Sequence, residues 1–314
     1  MKKTAQAPAN IAFIKYWGKK DATLRLPYNP SISMNLSGCM TTTTVEFLKN
    51  YSSDMVSEGF NTQRVTKHID RLRALAGVHD KARVVTKNNF PASAGIASSA
   101  SGFAALTVAA ATALGLKLSE KELTALARLG SGSASRSVPD GFVKWDGEFA
   151  HSLYPSDYWD IRDIVVVVLN NVKKISSSAG HETVKTSPFF NKRLEALPDR
   201  IQKIEAAFGE KNFIRLGEVM EEDCLDMHHV MQTQTPSLFY WTDATKRIME
   251  EVILWRKKGL SVYFTIDAGP NVHIICEGIN EQKVLDAVKS ISGVEEIILN
   301  KPSKGAQIVS THLF

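Results

Sequence analysis

The sequence predicts an α+β fold of two joined halves, and three observations carry that expectation. Strand-like and helix-like stretches are mixed without a regular βαβ rhythm. The second half changes character, with residues 188–208, 213–227 and 241–258 each showing helical periodicity. Between a strand-like run and a long helical run lies NNFPASAGIASSASG, Asn88 to Gly102, a Gly/Ala/Ser stretch around which the other elements can be ordered. With 314 residues the chain can form one large or two ordinary domains, and no repeat, low-complexity tract or linker interrupts it.

Composition narrows the function classes. The apolar and charged fractions are those of a soluble globular protein, and no apolar run is long enough to span a bilayer. The N-terminal MKKTAQAPANIAF opens with lysines, but Pro8 and Asn10 break its apolar stretch, so a cytoplasmic location is expected. Cys39, Cys224 and Cys276 are far apart and lack metal-ligand spacing, which reads as reduced structural thiols. A net charge of +5 without basic runs among aromatics suggests anionic small molecules rather than nucleic acid or membrane.

The first element is a strand over 4–13. It passes into KYWGKKD, Lys15 to Asp21, which is either a polar anion site stiffened by aromatics or a solvated turn with Tyr16 and Trp17 in the core. LPYNPSISMNLSG and the threonine run 41–44 read as β-strands. Val65, Ile69, Leu72 and Leu75 recur at helical spacing over 62–76, and a strand over 82–86 leads to the glycine- and serine-rich loop. The helix expected after the loop, 103–114, is apolar all round and therefore buried, with Gly115 as its C-cap. Backbone amides at such a helix start suit a phosphate, because unpaired N–H groups and the helix dipole act together. A small-residue start chosen only for close packing is the alternative.

Ser119 and Glu122 form a capping-box pair that opens a helix ending at Gly130. GSGSASRS, Gly130 to Ser137, follows as a second small-residue loop. Its Arg136, with a rigid charged fork among hydroxyls, suits a carboxylate or phosphate, unless it is a surface arginine on a capped loop. Strands are expected at 141–145 and 161–169. In the second half DAGPN, Asp267 to Asn271, lies between strands 262–266 and 273–277; Gly-Pro after an acid fixes a turn and holds the Asp267 carboxylate at a strand end. Asp before Gly-Pro is also an ordinary turn former. A helix over 281–291 and two short strands complete the chain.

PASAGIASSASG resembles the phosphate loop of the galactokinase, homoserine kinase, mevalonate kinase and phosphomevalonate kinase superfamily, with Ile96 where Leu is usual. APANIAFIKYWGKKD, NNFPASAGIASSASGFAAL, GSGSASRS and IDAGPN, in this order over nearly the whole chain, are similar to the diphosphomevalonate decarboxylase family. The resemblance implies a two-lobed small-molecule kinase-type α+β fold with a cleft between an N-terminal half, 1–172, and a C-terminal half, 173–314. It implies ATP and Mg²⁺ as cofactors, a phosphorylated mevalonate as substrate and a homodimer. The implied reaction is phosphorylation of the 3-hydroxyl of 5-diphosphomevalonate, followed by loss of phosphate and CO₂ to give isopentenyl diphosphate.

By motif match, Asp267, Arg136, Lys15 and Ser99 carry the chemistry. Asn10, Tyr16, Lys19, Ser131, Ser133 and Arg136 take the substrate; Gly95, Ile96, Ala97, Ser98 and Ser99 take the ATP phosphates, and no metal ligands are assigned. The sequence departs from the family pattern at His181, which stands where Met is usual, and a loop or helix-start role is expected for it. Alternatives are a relative acting on 5-phosphomevalonate, a mevalonate 3-kinase, and a non-catalytic phosphate-binding protein. The joint presence of Asp267, Arg136 and Lys15 weighs against the kinase, and retention of the whole set weighs against the binding protein.

Overall fold

A computed structural model describes residues 1–58, 61–91, 98–168 and 180–314. Thirteen strands and seven helices follow one another among these residues. The strands are β1 (Lys2–Ile14), β2 (Lys19–Asp21), β3 (Leu26–Pro27), β4 (Ser31–Leu48), β5 (Met55–Val56), β6 (Lys81–Asn88), β7 (Phe142–Asp146), β8 (Phe149–Tyr154), β9 (Ile161–Val168), β10 (Val262–Thr265), β11 (Val272–Glu277), β12 (Val294–Asn300) and β13 (Gln307–Val309). The helices are α1 (Thr62–Ala76), α2 (Ser98–Ala113), α3 (Glu120–Gly130), α4 (Phe190–Glu210), α5 (Phe213–Thr233), α6 (Asp243–Lys257) and α7 (Glu281–Lys289). The α+β class expected from the sequence is the class observed.

The strands form a seven-stranded sheet, in which β13, β1, β4, β6 and β5 are successive neighbours and the β7–β8 hairpin extends from β4. A four-stranded sheet has the order β10-β11-β9-β12, and β2 pairs with β3 alone. Strand β9, although it precedes residue 172, pairs within the second sheet, while β13 returns to the first. The two sheets are thus stitched together by the chain's own course.

A shift of register positions the site. On β1 the pairing with β4 jumps from Pro8↔Met40 to Asn10↔Asn35. Side chains alternate between faces along a strand, so an irregularity exchanges the faces. Ala5 and Ala7 accordingly lie in the core beneath α2, whereas Ala9, Ile11 and Phe13 lie in the core beneath α4 and α5. Asn10 is left facing the turn at 132–137, to which it donates hydrogen bonds.

Helix α2 begins at Ser98, five residues before the start expected from its apolar run. Small residues fill this first turn, and two close contacts fix it. Ser101 is fully buried with its hydroxyl 2.6 Å from that of Thr41, and a Cβ on Gly130 would fall inside the Phe103 ring. The expected GSGSASRS loop is a 3-10 helix over Gly132–Ser137. Ser119 and Glu122 close the expected capping box at the start of α3.

Helix α5 lies against β10, and Gly217 makes that approach possible, since a Cβ there would overlap the Tyr263 ring. Alanine is the better helix former by about 1 kcal/mol. Here the clash decides the sign. Gly217→Ala is expected to destabilise the protein by about 1–3 kcal/mol, read as a lower midpoint in urea.

Candidate functional site

The site forms where the ends of β1 and β10 meet α5. Lys15 follows the last residue of β1, and its side chain is 1% exposed, with Nζ 2.6 Å from Asp267 Oδ1. Asp267 follows β10 in a fastened turn. Gly269 N–H donates to the Asp267 carbonyl at 2.7 Å, and Asn271 Oδ1 accepts from Val168 N–H at 3.1 Å. Burial pushes the Asp267 carboxyl up, but the charge and hydrogen bond of Lys15, with His273 and Arg136 farther off, hold it below the usual carboxylate range.

A buried ion pair grips the Lys15 backbone. Asp223 Oδ2 accepts from Lys15 N–H at 2.7 Å, while Arg193, paired to Asp223 at 3.0 Å, donates to the Lys15 carbonyl at 3.4 Å. Asn29 Nδ2 donates to the same carbonyl at 3.0 Å. Next to Asp223 on α5, Cys224 Sγ accepts from Ile266 N–H at 3.1 Å, and one turn further His228 Nε2 donates to the Ile266 carbonyl at 3.2 Å. One helix therefore positions both partners of the Lys15–Asp267 pair.

Arg136 is 3% exposed, and among the described residues no carboxylate pairs with it. Its Nε donates to Asn10 Oδ1 at 3.2 Å and its Nη1 to Ser31 Oγ at 2.6 Å. Burial pushes its pKa down to about 10, which leaves it charged at neutral pH with one face of the fork unused. Ser99 Oγ lies 3.2 Å from Ser131 Oγ, which is 3.5 Å from Ser133 Oγ. A Cβ on Gly132 would come within 3.0 Å of the Tyr16 hydroxyl, so Tyr16 reaches the same turn. Burial pushes the Tyr16 pKa up and keeps that hydroxyl protonated. Lys19 Nζ stands 3.7 Å from Glu182, and burial and then Arg25 lower its pKa.

The structure thus brings together Asn10, Lys15, Tyr16, Lys19, Ser99, Ser131, Ser133, Arg136 and Asp267 from four distant stretches. Beside them a cleft is lined by residues of α1, β6 and the start of α2, including Asn61, Arg64, Asn88, Ser98, Ser99 and Phe103. Gly95, Ile96 and Ala97 lie outside the described residues. His181 proves to be a packing residue: its ring stacks on Tyr16 and Trp17 at 4.4 and 4.3 Å, and its Nδ1 accepts from Gly18 N–H at 2.7 Å.

Sequence reasoning missed Ser31, Arg64, Arg193, Asp223, Cys224 and His228. A signal was present for the last three, because an acid, a thiol and an imidazole occupy buried-stripe positions of a helix where apolar residues belong.

Profiles of known families now decide the family. The diphosphomevalonate decarboxylase-like N-terminal domain matches residues 7–153, and the mevalonate 5-diphosphate decarboxylase C-terminal domain matches residues 163–311. The chain belongs to the diphosphomevalonate decarboxylase family. The Candida albicans diphosphomevalonate decarboxylase is 34% identical, with 98% of each chain covered. The crystal structure of the Staphylococcus aureus mevalonate diphosphate decarboxylase superposes with a TM-score of 0.94 at 36% identity over 98% of each chain. A structure described as MDDEF in complex with MVAPP, AMPPCP and magnesium gives a TM-score of 0.92 at 34% identity over 99% of each chain.

ATP and Mg²⁺ are therefore the cofactors of this decarboxylase family, and the donors present can be tested for fit. Among the described residues no group of three His, Cys, Asp or Glu side chains could hold a metal. Mg²⁺ commonly keeps several waters and takes one or two carboxylates plus substrate phosphates. The described residues thus fit an ion that arrives with the nucleotide rather than a resident one.

Three buried histidines tie stability to pH. Burial pushes His68, His181 and His228 down to about 3 from 6.5. Between those values the unfolded chain binds protons that the folded chain does not, so stability is full above 6.5 and falls as pH drops toward 3. Each histidine contributes a slope of about 1.4 kcal/mol per pH unit. Urea midpoints are expected to fall between pH 7 and pH 5, and His68→Gln should remove close to one proton from the slope.

Proposed function

We propose that this chain uses ATP and Mg²⁺ to phosphorylate the tertiary 3-hydroxyl of (R)-5-diphosphomevalonate, and then releases phosphate and CO₂ to give isopentenyl diphosphate and ADP. The observation that carries this reading is Arg136, a buried guanidinium without an acid partner in the same site as the Lys15–Asp267 pair. A cation so placed needs an anion. A substrate carboxylate bound there would be oriented for departure.

In this reading ionised Asp267 accepts or orients the hydroxyl proton, and Lys15 keeps the carboxylate charged before substrate arrives. Ser99, at the start of α2, assists the phosphoryl group, and the cleft lined by Asn61, Ser98 and Phe103 takes the nucleotide side. Mg²⁺ would supply charge neutralisation on the phosphates. Tyr16, Lys19, Ser131 and Ser133 take part in holding the 5-phosphates.

Once C3 carries phosphate, the C3–O bond breaks with its electrons going to phosphate. The bond from C2 to the carboxylate carbon then supplies the electrons of the new C2–C3 double bond, and the carboxylate leaves as CO₂. Arg136 contributes orientation, and the surrounding dipoles stabilise charge developing at C3. We further infer a homodimer in the cytoplasm. For the two halves we favour a boundary in the turn at 155–160, supported by the pairing of β9 in the second sheet.

The defining assay supplies mevalonate, its 5-phosphate or its 5-diphosphate with ATP, and follows ADP and CO₂ separately. The diphosphate should give both products in a ratio of one; ADP without CO₂ from every substrate would contradict the proposal. Arg136→Gln should lower CO₂ release by about 10²-fold or more, with ADP formation exceeding CO₂ formation, since a charged bidentate contact contributes roughly 2–3 kcal/mol. A ratio of one at wild-type rate would make Arg136 a bystander.

Lys15→Met gives a pH test. Without the ammonium, burial dominates and the Asp267 pKa rises, so activity that needs the carboxylate is lost at a higher pH. The acid limb of log kcat against pH should move up. An unmoved limb would remove Asp267 from the rate-determining proton step.

A further inference from the structure

We propose that Arg25, which lies outside every motif of the family resemblance, is a specificity-determining residue that binds the terminal phosphoryl group of the 5-diphosphate. This rests on the function proposed above and deepens it, by naming what separates a diphosphate from a monophosphate substrate.

Arg25 sits in the turn between β2 and β3, with φ +52 in the left-handed region that long side chains seldom occupy. Its Nε donates to the Leu129 carbonyl at 3.1 Å. Arg71 Nη1 donates to that same carbonyl at 3.3 Å, and Arg64 Nη2 donates to the adjoining Gly130 carbonyl at 3.0 Å. Three guanidinium groups, from one turn and one helix, thus converge on two consecutive carbonyls immediately before Ser131. Several other arginines are matched with acids: Arg73 with Asp54, Arg193 with Asp223, Arg256 with Glu221. Among the described residues none of Arg25, Arg64 and Arg71 pairs with a carboxylate.

The carbonyls at the end of α3 carry only partial negative charge. Among the described residues no carboxylate compensates the three full positive charges held by them, and they make a site for a multiply charged anion. The proximity is felt electrostatically: burial, and then the charge of Arg25, lower the proton affinity of Lys19, Arg64 and Arg71. With Nε of Arg25 committed to Leu129, its two terminal nitrogens are the ones left for a phosphoryl group. Tyr16, Lys19, Ser131 and Ser133 can satisfy one phosphate, and the arginines beside them supply the charge for a second.

The test compares Arg25→Asn with the wild type. Asparagine tolerates a positive φ, so the turn is kept while the charge is removed. Initial rates of CO₂ release are measured with the 5-diphosphate and the 5-phosphate at saturating ATP, along with KM for ATP. The variant should show KM for the diphosphate raised by at least about tenfold, with kcat and KM for ATP within about twofold, and the preference for diphosphate over monophosphate lowered by about tenfold. Arg25→Lys, which keeps charge without the fork, should recover part of the loss. An unchanged preference overturns the inference, as does a rise in KM for ATP alone, which would give the arginines to the nucleotide.

Calorimetric titration with inorganic pyrophosphate gives a reading independent of turnover. Wild type should bind pyrophosphate more tightly than Arg25→Asn or Arg25→Lys, and equal binding overturns the assignment. If the wild type released no CO₂ from the diphosphate, the proposed function would fail, while the pyrophosphate titration would still judge Arg25.

Discussion

A lysine ammonium and an aspartate carboxylate 2.6 Å apart, one at the end of β1 and the other just past β10, are the contact through which the two sheets share a site. Neither partner is free to search for the other. Lys15 is gripped at its backbone by the Arg193–Asp223 pair, whose side chains are fully buried, and Ile266 beside Asp267 is gripped by Cys224 and His228. Buried ion pairs seldom add net stability, because desolvation offsets much of the Coulomb energy. What Arg193–Asp223 supplies here is geometry, by fixing α4 and α5 against the end of β1. Productive alignment within fractions of an ångström matters more to phosphoryl transfer than any single contact energy.

Charge is distributed to match the reaction. A net charge of +5 is modest for the chain as a whole, yet Lys15, Lys19 and Arg136 meet around the hydroxyl-bearing turn, and Arg25, Arg64 and Arg71 converge next to it. Lys15 is paired with Asp267 at 2.6 Å, and Lys19 stands 3.7 Å from Glu182. The remaining cations are held by neutral oxygens: Asn10, Ser31 and the carbonyls that end α3. Such an arrangement is costly when empty and is satisfied by an anionic substrate, which links affinity to the same groups that orient the chemistry.

Much of this was legible in the sequence. The helix over 62–76 and the capping box at Ser119 depend on local patterning alone, and both stand in the structure as expected. The placement of Asp267 just past a strand and of Ser131, Ser133 and Arg136 on one small-residue turn could be read because turn chemistry and small-residue loops are local signals. The early start of α2 at Ser98 could not, because its contacts, Ser101 on Thr41 and Phe103 on Gly130, are with residues distant in sequence. Nor could the exchange of faces along β1, which follows from pairing with β4. The α5 residues were hidden for a further reason. Asp223 and His228 look like ordinary polar interruptions of a helix until Lys15 and Ile266 are brought beside them, so their roles exist only in the folded chain.

The central claim is that Lys15 keeps Asp267 ionised in the free protein. Carbon-13 NMR of the labelled Asp267 carboxyl, assigned by its loss in Asp267→Asn and titrated from neutral pH downward in folded protein, reads this directly. The account predicts a midpoint below the unperturbed aspartate value of about 3.9. A midpoint above that value would mean that burial outweighs Lys15, and would contradict the account.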